Sequence, residues 1–68
     1  MQFVEQTKIM VLVGLLAELL ARKMAMENLL ISNPKDTQIP KIIGAFDIAI
    51  TSIGEAIQLL KCDTNHSL

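Results

Sequence analysis

Residues 9–21 read IMVLVGLLAELLA, and Glu18 is the one member that is neither apolar nor glycine. Such a run is a membrane anchor, the inside of a core, or a surface made for another chain. A bilayer-spanning helix needs about 20 consecutive apolar residues, whereas the longest charge-free run here, Ile9 to Ala17, has nine. Glu5 and Lys8 precede it, and Arg22 and Lys23 follow closely. A secretory leader begins with positive charge and ends in a small-residue cleavage site, a pattern these residues do not follow. The sequence therefore predicts neither a spanning segment nor a leader, and a cytoplasmic location.

The 68 residues make one small domain. A chain of this size buries only about 60% of its unfolded surface, so small folds add disulfides, a metal or a second chain. The single cysteine, Cys62, excludes an internal disulfide, and no ligand cluster suggests a metal. Association is what remains. Hydrophobic residues are 51% of the chain but aromatics only 3%, a composition suited to helix-on-helix packing rather than to sheets. Six Lys or Arg stand against seven Asp or Glu, which gives no electrostatic footprint for nucleic acid.

Working outward from the apolar run, Gln2 to Ile31 contain no Pro and one Gly, among strong helix formers. The pairs Glu18/Arg22 and Lys23/Glu27 sit four apart, where opposite charges meet on a helix surface. Asn33 precedes Pro34 and is pushed out of the α region, so "SNPKD" reads as a turn. Asp36 or Thr37 can cap a second helix whose first turn accepts Pro40. The expected layout is a helix over 2–31, a turn over 32–39, a helix over 40–61 and a flexible polar tail over 62–68. The fold class is all-α, a two-helix antiparallel hairpin that associates into a helical bundle or docks on a helical partner.

In the second helix Ile42, Ala45, Phe46, Ala49, Ile50, Ile53, Ala56, Ile57 and Leu60 fall on one arc, the pattern of an amphipathic helix. The first helix carries Ile9, Leu12, Val13, Leu16, Leu19, Leu20, Met24 and Ile31 on one side and a small-residue stripe, Gly14, Ala17, Ala21 and Ala25, beside it. Small residues let backbones approach closely. The sequence thus predicts that Ala17, Ala21 and Ala25 pack inside the hairpin on Ala45, Ala49 and Ala56. The large-aliphatic face of Ile9, Leu12, Val13, Leu16, Leu19, Leu20 and Met24 is then left for a partner, because contiguous apolar patches mark interfaces. On that reading Leu16 is buried against another chain, and Lys35 and Asp36 in the turn tolerate Ala within about 0.5 kcal/mol.

No catalytic constellation is visible, and no cofactor is expected. Cys62 and His66 are four apart, but a stable metal site needs more ligands, so a free thiol and a solvated imidazole are the plain reading. Asn65-His66-Ser67 matches a glycosylation triplet that has meaning only on a secretory route. Gly14, Gly44 and Gly54 are isolated and form no phosphate-binding loop.

The length, the hairpin layout, the short polar turn and the closing helix "GAFDIAITSIGEAIQLL" resemble the small helical-hairpin co-chaperones of type III secretion needle subunits. The resemblance covers most of the chain and rests on layout and residue class rather than on a motif, so no functional residue is carried over. It implies a hairpin that binds a larger helical-repeat chaperone and helps keep the needle protein from polymerising early. The function expected is a non-enzymatic interaction module, an adaptor or co-chaperone, whose partner is a second copy (dimer or tetramer) or a larger helical protein. The alternatives are a Rop-like dimeric RNA-binding regulator, which would need clustered cations, and a small membrane-active protein, opposed by the cost of charges at bilayer depth.

Overall fold

The structure is a computed structural model that describes the backbone over residues 2–66 and side-chain surroundings over residues 4–62. It holds two helices, α1 (Gln2–Ser32) and α2 (Gln38–His66), folded back on each other as an all-α hairpin. The rod measures 52 × 15 × 11 Å.

Each turn of the connection has a local cause. The Asn33 amide donates to the Leu29 carbonyl at 2.9 Å and to the Leu30 carbonyl at 3.2 Å. The Asn33 side-chain amide adds a 3.0 Å bond to the Leu29 carbonyl, so Asn33 closes α1 without a left-handed residue. The Asp36 amide donates to the Asn33 carbonyl at 3.1 Å, closing a β-turn over Asn33-Pro34-Lys35-Asp36. No described residue has positive φ, which excludes a type II turn and leaves Pro34 at the position that type I favours.

Asp36, rather than Thr37, caps α2. Its Oδ1 accepts from the Gln38 amide at 2.8 Å and the Ile39 amide at 3.2 Å. Pro40, next in the first turn, has no N–H to satisfy. This corrects the expected indifference of the turn. Asp36→Ala is expected to lower stability by about 1 kcal/mol, read as a lower thermal midpoint at fixed concentration, while Lys35→Ala stays near zero. The second helix also begins at Gln38 and runs on through His66. Residues 62–66, assigned from sequence to a loose tail, are helical, and residues 67–68 lie outside the described residues.

The packing seam follows a coiled-coil rule. The less exposed residues of α1 are Glu5, Ile9, Leu12, Leu16, Leu19, Lys23, Met26 and Leu30, at alternating steps of four and three. Those of α2 include Ile39, Ile43, Phe46, Ile50, Ile53, Ile57 and Leu60 in the same rhythm. A repeat of about 3.5 residues per turn keeps one stripe of each helix facing the other in a left-handed coil. The register follows from the turn: Lys23 and Asp47, each twelve residues from Lys35, form an ion pair across the seam.

The predicted Ala-on-Ala contact is not formed. Ala17, Ala21, Ala25 and Ala45 are exposed, and only Ala49 and Ala56 are half-buried, at the edge of the seam. A hairpin has one seam, and burying a Leu or Ile side chain gains about 1.5–3 kcal/mol against roughly 0.8 for a single methylene-sized group. The large side chains therefore take the inside, and the small stripe turns to solvent.

Candidate interaction surfaces

Four of the seven residues assigned from sequence to the partner face, Ile9, Leu12, Leu16 and Leu19, lie half-buried in the seam between α1 and α2. Val13, Leu20 and Met24 are exposed, as are Met10, Val11, Leu15, Leu29 and Ile31. Among the described residues only Ile39 (6%) and Ile57 (7%) are buried, whereas twelve large apolar side chains are exposed. The chain presents 5363 Å² to solvent. A compact monomer of 7.5 kDa would present about 4,200 Å². The fold is a rod without a closed interior.

Eleven of these twelve exposed residues fall on two flanks, and Ile48 stands apart on the outer face of α2. On the first, next to Lys23 and Asp47, α1 displays Met10, Val13, Ala17, Leu20, Met24 and Ile31, each one residue beyond a seam position. Glu27 is the only charge in that stripe. The neighbouring edge of α2 is polar, with Asp47, Thr51, Gln58 and Lys61. On the second flank α2 carries Ile42, Ala45, Ala49, Ser52, Ala56 and Leu59, a stripe with no charge. Val4, Val11, Leu15 and Leu29 of α1 join it, interleaved with Lys8, Glu18 and Arg22. Away from the turn this flank opens into an apolar groove lined by Val4, Val11, Leu12 and Leu60, with Lys8 at its rim.

The charges are paired locally. Lys8 meets Glu5 at 3.3 Å and Arg22 meets Glu18 at 3.3 Å, both exposed and each worth little in stability. Lys23 does not pair with Glu27, as its four-residue spacing suggested, but crosses to Asp47. Its stem occupies a seam position while its ammonium reaches the flank, a common use of a long cationic side chain. The hydrogen bond to the Asp47 carboxylate raises the Lys23 pKa above 10.5; partial desolvation opposes this, and the charges of Asp47 and Glu27 reinforce it. A raised folded-state pKa contributes stability that is present below the unfolded value and is lost as pH rises through the folded one. Stability is thus expected to fall as pH climbs above about 10.5, and Asp47→Asn to flatten that fall in a pH series of thermal melts.

Among the described residues no group of His, Cys, Asp and Glu is placed to hold a metal ion, and Cys62 is an exposed free thiol. No family model, curated protein or solved structure matches the chain. Among the described residues one helical segment, Gln38–Cys62 of α2, is long and apolar enough to cross a membrane, with mean hydropathy 1.5. Sequence reasoning looked for such a segment only in α1. It missed α2 because Asp47 and Glu55 interrupt the apolar residues without lowering their average enough.

Proposed function

We propose that the chain is a non-enzymatic helical adaptor that works by lending its uncovered apolar flanks to other helices, as a co-chaperone would. The observation that carries this is the inverted burial: two buried apolar residues against twelve exposed large ones among those described. Exposed apolar area on this scale marks an interface, and a hairpin is too small to close its own core. The uncharged α2 stripe ending in Leu59 suits a flat helical partner, which is also what the resemblance to needle-subunit co-chaperones implies. A nucleic-acid role finds less support. Lys8, Arg22 and Lys23 are engaged with acids, and Lys35 and Lys41 sit near the turn, far from Lys61 at the other end of the rod.

A second reading is favoured by α2 itself, whose length and hydropathy fit a bilayer. Against it stand Glu18, Arg22, Lys23, Asp47 and Glu55 along the middle of the rod, since an acidic or basic side chain at the centre of a membrane helix costs about 2.5–3.5 kcal/mol. The test is a photocrosslinking residue in place of Leu59, in cells, with one in place of Lys35 as control. Discrete protein adducts from Leu59 and none from Lys35 support the adaptor. Adducts to lipid, with the chain in the membrane fraction, overturn it.

A further inference from the structure

We propose that the first flank of α1 is a homodimer interface, in which two copies meet antiparallel about a two-fold axis at Ala17. The proposal rests on the reading of the chain as an interaction module and says which surface meets which partner. A two-fold interface must be complementary to itself, and this stripe is. Outward from Ala17 come Val13 on one side and Leu20 on the other, then Met10 and Met24, then Gln6 and Glu27. Aliphatic answers aliphatic, Met answers Met, and an amide donor answers a carboxylate. With the helices reversed about Ala17, Val13 meets the partner's Leu20 and Met10 meets the partner's Met24, while Gln6 donates to the partner's Glu27. The smallest side chain of the stripe lies on the axis, where the two backbones come closest.

The area agrees. The chain exposes roughly 1,100 Å² more than a compact protein of its mass, and a standard specific interface removes about 800 Å² from each partner. One such contact brings the exposure close to that of an ordinary small protein. It also leaves the α2 stripe around Leu59, on the opposite flank, open to a different protein.

The test is sedimentation equilibrium on the purified full chain across a concentration series, for wild type, Ala17→Glu, Ala17→Lys and an equimolar mixture of the two variants. Ala17 is exposed, and Glu and Lys are good helix formers, so circular dichroism is expected to show unchanged helix in each. The wild type is expected to be a dimer. Each variant, placing like charges on the axis, should weaken it at least about tenfold, and the mixture should recover dimer as the opposite charges meet. A helical wild type that stays monomeric overturns the proposal, as does a dimer indifferent to Ala17→Glu. A wild type that stays in solution only with detergent also overturns it, the flank then being covered by lipid. A monomer that still gives protein adducts through Leu59 refutes the dimer and leaves the adaptor reading standing.

Discussion

Leu16→Asp is expected to abolish the helical signal of the chain at every concentration. Leu16 sits midway along the seam, between Leu12 and Leu19, facing α2. The substitution removes about 2 kcal/mol of apolar burial and asks a carboxylate to give up part of its hydration for no cation, a cost of several kcal/mol. A single core of this size supplies no more than about 3–5 kcal/mol, so the seam is lost as a whole. The sequence also predicts loss of association and of folding for this variant, there with Leu16 buried against another chain. Loss of association with helix retained would exclude the seam and return Leu16 to an outer face; loss of helix at every concentration is the result a seam position requires.

Ile57→Ala is the second large effect. Ile57 is 7% exposed, and with Ile39 it is one of the two buried positions of the described chain. Truncating a buried Ile costs about 2–5 kcal/mol; in a rod whose sides can relax, the lower half of that range is expected. For a domain of this size each kcal/mol moves the thermal midpoint by about 4–8 °C, so a fall of roughly 10–20 °C is expected in melts at matched concentration. Leu59→Ala, two residues on and 64% exposed, serves as the contrast, with a change within about 0.5 kcal/mol in the isolated chain. Equal effects at the two positions would mean that α2 faces α1 differently.

Two helices, their order and the turn were legible in the sequence, because Pro34, Asp36 and Pro40 punctuate the chain by steric and capping rules that need no tertiary context. The face of α1 was not. Apolar residues surround this helix, so projection onto a wheel offers two overlapping stripes, Ile9-Leu12-Leu16-Leu19 and Met10-Val13-Ala17-Leu20, one residue apart. Choosing between them requires knowing that a hairpin has a single seam and fills it with its largest side chains. A signal was present in Lys23 and Asp47, which are equidistant from the turn and oppositely charged. Read as a cross-helix pair, they place Lys23 at the seam and its neighbours Leu19 and Met26 beside it. The sequence offers Asp36 and Thr37 alike as caps, and only the position at which α2 begins decides for Asp36, whose Oδ1 takes the Gln38 and Ile39 amides.

The three glycines lie inside the helices, at Gly14, Gly44 and Gly54, with open space around each where a methyl group would fit. Each keeps its helix about 1 kcal/mol weaker than alanine would, and no part of the hairpin packs closely enough there to require the missing methyl. Helices so weakened open locally and often, and an opened backbone is what proteases cut. If another chain covers the flanks as proposed, a free copy is expected to be cut faster by a protease than an assembled one, and limited proteolysis across a concentration series would show it.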